Sequence, residues 1–261
     1  MKKINKTILV GILGSASFLL ITNLYSQVET DEVKSIRKKA EQGNAEAQWN
    51  LGQKYSLGDG VSKDDVEAVK WYRKSAEQGN SVGQLSLAMS YDFGEGIKQN
   101  TIEALKWYKK SADQGNWQAQ LYLGIIYSRN EGGLKDINEA IKWYRMAADQ
   151  GSMLAQFNLG AIHIEDHGIP KDYDEAIKWF RKSAKQGFAK AQNMLGAMYV
   201  GGFGVKKDST EGYAWCKIAS LKGLDEAQNI LKTIEEKMTP DEIDRANQRS
   251  KELMYELDSP P

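Results

Sequence analysis

Few residues in this chain of 261 could carry chemistry. Its only two histidines, His163 and His167, stand four positions apart. On a helix that spacing puts both imidazoles on one side, where they could share a metal ion. A zinc-protease pattern would also need glutamate right after the first histidine, and Ile164 stands there instead. No third ligand completes the pair. His163 falls where Tyr55, Tyr91, Tyr127 and Tyr199 fall in neighbouring segments, so it reads as a packed substitute for tyrosine. His167 falls in a turn beside Gly168. The single cysteine, Cys216, excludes a disulfide within one chain and an all-cysteine metal cage. It takes the place held elsewhere by Tyr72, Tyr108, Tyr144 and Phe180, as a small buried apolar residue would. Gly-x-Gly stretches such as Gly58-Asp59-Gly60 follow no strand, so they are turns rather than phosphate loops. No serine sits in a nucleophile elbow. The expectation is a protein with no catalytic residue, no metal and no cofactor, and not an enzyme.

Composition narrows the remaining classes. Lys plus Arg and Asp plus Glu each number 35, so the formal charge is zero. That argues against nucleic-acid binding through a strongly basic surface. With 41% apolar and 10% aromatic residues, the chain is not a disordered polyelectrolyte either. Residues 1–26 have the layout of an export signal: Lys2, Lys3 and Lys6, then the uncharged run Thr7–Ile21, then Thr22, Asn23 and Ser26. The apolar run is short for a bilayer span, which needs roughly 20 residues. Cleavage would give a slightly acidic periplasmic or secreted protein. Without cleavage, residues 7–24 would anchor it in the inner membrane, the one case in which a membrane contact is expected.

What must be positioned is a repeat. Trp71, Trp107, Trp143, Trp179 and Trp215 are each 36 residues apart, as are Gly43, Gly79, Gly115, Gly151, Gly187 and Gly223. Gln48, Gln84, Gln120, Gln156, Gln192 and Gln228 keep the same interval. The organisation is a half repeat over 31–43, repeats over 44–79, 80–115, 116–151, 152–187 and 188–223, and capping helices over 224–257. Each repeat reads as two helices. In the first, Ala47, Gln48, Leu51, Gly52 and Tyr55 share one side at helical spacing. The second opens with Asp64 and Glu67, a pair recurring as Asn100/Glu103, Asp136/Glu139, Asp172/Glu175 and Asp208/Glu211. That is a capping-box spacing, in which each side chain satisfies a backbone donor of the first turn. Glycine inside the first helices (Gly52, Gly124, Gly160, Gly196) predicts close approach of the Trp–Tyr pair of the second helix. Thr239-Pro240-Asp241-Glu242 predicts the start of a last helix.

The segment from Ala45 to Gly79 follows A-x-A-Q-x-x-L-G-x-x-Y, then G-x-G-V, then A-x-x-W-Y and a closing glycine. It resembles the Sel-like repeat, a relative of the tetratricopeptide repeat. The resemblance implies an all-α fold, an α/α solenoid whose helix pairs stack into a right-handed superhelix. It implies a monomeric scaffold that binds a protein or peptide on a concave side lined by first helices. It also brings in immunity proteins against secreted toxic effectors. A cysteine-rich exported branch is associated with penicillin binding, which suggests an envelope hydrolase as the alternative. This chain lacks that branch's cysteine pairs.

Positions that recur hold the stack, and positions that vary are free to read a ligand. Opposite the recurring side of the first helix lie 46, 50, 53 and 57 and their equivalents. They are Glu46, Asn50, Gln53 and Leu57, then Val82, Ser86, Met89 and Phe93, then Gln118, Tyr122, Ile125 and Arg129. Leu154, Asn158, Ala161 and Glu165 follow, then Lys190, Met194, Ala197 and Gly201. The candidate partner-binding residues are Val82, Met89, Phe93, Trp117, Tyr122, Ile125, Arg129, Leu154, Asn158 and Glu165. An apolar centre with a polar rim suits protein recognition. The competing expectation is that curvature buries this face. A second recurring set, Lys70, Lys106, Lys142 and Lys178 with Arg73, Lys109, Arg145, Arg181 and Lys217, reads as a solvated basic ridge or as contact with an acidic partner or anionic lipid.

Overall fold

The structure is a computed structural model describing residues 29–129 and 133–258. The expected export segment lies outside the described residues. Among them are thirteen helices and no strand. In chain order these are α1 (Asp31–Glu41), α2 (Ala45–Leu57), α3 (Asp65–Glu77), α4 (Ser81–Phe93) and α5 (Thr101–Asp113). After them come α6 (Trp117–Ser128), α7 (Ile137–Asp149), α8 (Met153–Ile162), α9 (Tyr173–Lys185) and α10 (Ala189–Gly201). The last three are α11 (Ser209–Leu221), α12 (Asp225–Glu235) and α13 (Pro240–Asp258). The fold is all-α, made of the helix-pair repeats of an α/α solenoid. The chain divides into two compact units meeting in sequence between Asn116 and Trp117, α1–α5 in the first and α6–α13 in the second.

Close packing within a repeat depends on missing side chains. Gly52 lies against the ring of Tyr72, Gly124 against Tyr144, Gly160 against Phe180 and Gly196 against the Cys216 thiol. A Cβ on Gly160 would stand 2.9 Å from the Phe180 ring, well inside contact distance. Of the aromatic pair it is therefore the second member that meets the glycine. The tryptophans pack elsewhere: Trp71 joins Val33, Ala40, Ala47 and Leu51, while Tyr72 joins Ala68, Val69, Ala76 and Leu87; Trp71, Trp143, Trp179 and Trp215 are buried, and Trp107 is half-buried. A buried serine ties the two helices at their far end. Ser75, Ser111 and Ser183 each donate to the first carbonyls of the partner helix, at Ala45, Ser81 and Met153, at 2.7 Å.

The helix starts form differently from the expected capping box. Asp64 Oδ1 accepts from the Glu67 amide at 2.9 Å, and Asn100, Asp136, Asp172 and Asp208 do the same one repeat after another. The reverse bond does not form, because the amide of each capping residue is already used. It donates to the carbonyl of Tyr55, Tyr91, Tyr127, His163 or Tyr199, at 2.8–3.0 Å. This stitches the second helix to the end of the first. It also frees the glutamates: Glu67, Glu103, Glu139 and Glu175 pair with lysines three residues on. Glu175 and Glu211 also accept from Trp179 and Trp215 Nε1. Among the described residues only the last helix has the complete box, with Thr239 N–H on Glu242 Oε2 and Glu242 N–H on Thr239 Oγ1.

Repeats are joined by a glutamine relay. Gln48 Nε2 donates to the Ala40 carbonyl, and its Oε1 accepts from Gln78. The same arrangement places Gln84 with Gln114, and, in the second unit, Gln156 with Gln186. The relay stops at Gln192, whose Oε1 is buried without a partner. The next donor position holds Lys222, which reaches the Gly187 carbonyl instead. Lys222→Gln should return a donor to that oxygen and stabilise the second unit by about 1 kcal/mol. A thermal melt shows it, and a lowered midpoint would contradict it.

Candidate partner-binding face

The turn ends of the first helices are where the face opens. In the first unit Leu57 and Phe93 are the last residues of α2 and α4, and they are 75% and 55% exposed. The left-handed glycines Gly58 and Gly94 end those helices directly behind them. Val66 and Ile102, near the starts of α3 and α5, add two more exposed apolar side chains on the same turn edge. Val82 and Met89 are half-buried. Met89 lines a cleft of about 200 Å³ with Leu57, Ser86, Asp65 and Glu95, and with Tyr72 as its buried floor.

In the second unit the candidate residues are less alike. Trp117 and Leu154 stand at or near helix starts, 42% and 38% exposed, while Tyr122 and Ile125 are half-buried. Arg129 and Glu165 do not continue a helical face: both are exposed, beyond the ends of α6 and α8. For Glu165 the cause is local. Where repeats one, two and five have a glycine able to take the left-handed cap, this repeat has Asp166, and α8 stops a turn early at Ile162. Asn158 is drawn into the scaffold, hydrogen-bonding the Tyr144 hydroxyl.

That hydroxyl belongs to a set expected from the repeat pattern to serve the core alone. Tyr72, Tyr108 and Tyr144 rise from second helices, and their buried hydroxyls meet side chains near the ends of the first helices. Tyr72 meets Ser56, with Asp65 and Glu95 in electrostatic range. Tyr108 donates to Asp92 at 3.2 Å. Tyr144 lies 3.2 Å from Ser128 Oγ, with Arg129 and Glu165 in range. Burial first, then Asp65 and Glu95 for Tyr72 and Glu165 for Tyr144, push both phenols above their ordinary value, so both stay protonated at neutral pH. A signal existed: the aromatic before the glycine contact is tyrosine in three repeats, and phenylalanine or cysteine elsewhere.

The basic ridge is largely consumed within the scaffold. Lys70, Lys106, Lys142 and Lys178 pair with the glutamates three residues before them, and Lys142 and Lys178 also lie over the Trp143 and Trp179 rings at 5.2 and 5.4 Å. Arg37, Arg73 and Arg181 donate to the hydroxyls of Tyr55, Tyr91 and Tyr199. Arg145 would meet His163 in that scheme and pairs with Glu175 instead, and the His163 Nε2 is buried without a partner. His167 turns to Glu165, at 2.9 Å. Among the described residues no three His, Cys, Asp or Glu side chains are grouped to hold a metal ion. Burial pushes the Cys216 thiol up to about 12, far from thiolate chemistry at neutral pH.

The Sel1 repeat family model matches residues 45–80, 81–116, 117–152, 154–188 and 189–224. No curated protein matches the chain. A protective antigen present in uropathogenic Escherichia coli strains, displaying an SLR fold, is 40% identical with a TM-score of 0.76. The match covers 83% of this chain and 47% of that one, so the chain spans about half the antigen's length. A Sel1 repeat protein from Oxalobacter formigenes is 34% identical with a TM-score of 0.68, over 74% of this chain and 77% of its own. With five matched repeats covering most of its helices, the chain belongs to the Sel1 repeat family.

Proposed function

We propose that the protein is an exported scaffold that captures a protein partner on the turn end of its first-helix face. Sel1 repeats are scaffolds for protein–protein interaction, which is the coarse reading. The observation that carries the finer one is the edge of the first unit. Leu57, Val66, Phe93 and Ile102 are all more than half exposed there, at positions that hold polar residues or glycine in later repeats. Large apolar groups held in solvent at variable positions suit recognition rather than folding. Export is supported by the basic head and the apolar run of residues 1–26. No helix among the described residues is long and apolar enough to cross a membrane. One version of the reading makes the partner a secreted toxic effector, which the scaffold sequesters. No observation favours the envelope-hydrolase alternative.

Leu57→Asp with Phe93→Asp should abolish capture of the partner while leaving the helical circular dichroism spectrum intact. Leu57 is 75% and Phe93 55% exposed, so the fold loses little. Capture that persists in the folded double variant would remove the face from consideration. Mass spectrometry of the protein recovered from the periplasm tests export, with loss of roughly the first 26 residues expected.

A further inference from the structure

Resting on that reading of the face, we infer that the cleft of the first unit takes a cationic side chain, lysine or arginine, from an apolar segment of the partner. The cleft joins two kinds of surface. Leu57 and Met89 supply apolar walls, and the exposed Val66 follows Asp65 directly in the chain, as Phe93 stands two residues before Glu95. Asp65 and Glu95 stand on its rim from two different repeats, both close enough to oppose ionisation of the Tyr72 hydroxyl below them. Two carboxylates over a neutral phenol, beside apolar walls, suit the apolar stem and charged head of a lysine or arginine.

The other charges nearby leave this field standing. Lys63 pairs with Asp65 at 3.3 Å, but its side chain is 63% exposed and free to swing outward. Lys54 is taken by Glu32 and Asp59. Glu95 is held in place by the turn it follows. Gly94 caps α4 in the left-handed conformation, and Gly96 lies directly on the Asp65 carbonyl, which brings the backbones bearing the two carboxylates together at the same opening.

The repeat itself provides a control. Four repeats later the same positions form a second cleft, within the other unit. There Val200, Ser209, Ile230, Thr233 and Ile234 replace Ser56, Asp65, Ser86, Met89 and Ser90. Both carboxylates are gone, since Thr239 stands in the place of Glu95; Lys207, the counterpart of Lys63, lines the wall without a carboxylate in Asp65's place, and Lys237 replaces Phe93. One backbone cleft is thus present in two electrostatic forms, and only the first-unit form attracts a cation.

Fluorescein-labelled peptides of sequence Ala-Leu-Xaa-Leu-Ala, with Xaa arginine, norleucine or glutamate, test this by fluorescence anisotropy on the full chain. The arginine peptide should bind about tenfold more tightly than the norleucine peptide and weaken with added salt. Asp65→Asn with Glu95→Gln should erase that difference, and a melt should show the double variant folded. Equal affinity for arginine and norleucine overturns the charge inference and leaves the apolar face standing. So does a preference for glutamate, or no binding by any peptide. The Leu57→Asp and Phe93→Asp capture experiment decides the face independently.

Discussion

Gly96→Ala should destabilise the first unit by about 3 kcal/mol or more, whereas Gly168→Ala, at the same place in the fourth repeat, should cost about 1 kcal/mol. Both glycines have positive φ, +69° and +79°, where an alanine is strained. They differ in what a Cβ would meet. At Gly96 it would run into the backbone carbonyl of Asp65 and approach the Val66 nitrogen at 2.9 Å. Backbone cannot rotate aside as a side chain can, so the turn must lift off α3. At Gly168 nothing lies within 4 Å. Urea unfolding of the two variants, with hydrogen exchange to locate the loss in α3 and α4, checks the contrast. Equal costs would mean that left-handed strain alone sets the penalty. Because Asp65 and Glu95 border the same contact, Gly96→Ala should also weaken the arginine peptide more than the norleucine one.

The helix pairs were legible because their signals are local and repeated. An Asx residue before each second helix, a glycine after it and a fixed tryptophan all act within one turn of their own position. What the sequence could not disclose was competition for a group. The spacing of Asp64 and Glu67 is equally compatible with a complete or a half capping box. The outcome depends on the Tyr55 carbonyl, which lies nine residues away in sequence and reaches the Asp64 amide only after the helices pack. The early end of α8 was legible in principle. Asp166 replaces a glycine whose left-handed conformation the repeat uses to end its first helices.

The candidate face was less legible, for a related reason. Variation marks positions not needed for stacking, but it does not separate exposed residues from those a neighbour half covers. Phe93 and Leu154 prove exposed, Val82, Met89, Tyr122 and Ile125 are half-buried, and Asn158 is engaged by Tyr144. Conversely, recurrence hid the tyrosine hydroxyls. A ring that packs on glycine, as Tyr72 does on Gly52, looks purely structural, yet Tyr72 also floors the first-unit cleft. One residue then serves both scaffold and face, a case that a division into recurring and variable positions cannot represent.

Gln156→Glu isolates the relay that joins repeats, and its effect should depend on pH. The substitution keeps the shape of the side chain. Wild-type Gln156 is 4% exposed, donating through Nε2 to the Ala148 carbonyl at 3.0 Å and accepting from Gln186 Nε2 at 2.8 Å. An ionised carboxylate keeps the second bond but turns an oxygen on the Ala148 carbonyl, a buried charge facing a like dipole. A cost of about 3–5 kcal/mol follows at pH 8. A protonated carboxyl can donate to that carbonyl and restores both bonds. The introduced group therefore has a folded-state pKa above its unfolded value of about 4.3. Its penalty is absent below that value and grows as pH rises through the folded pKa, about two units or more higher for a cost of ~3 kcal/mol. The difference in unfolding free energy between variant and wild type should be small at pH 4 and reach its full size by about pH 8. Gln156→Met, which loses both bonds but buries no charge, should instead be destabilised by about 1–2 kcal/mol at every pH. A Gln156→Glu profile as flat as that of Gln156→Met would mean water reaches this glutamine, and that the relay does not hold adjacent repeats together through a dry contact.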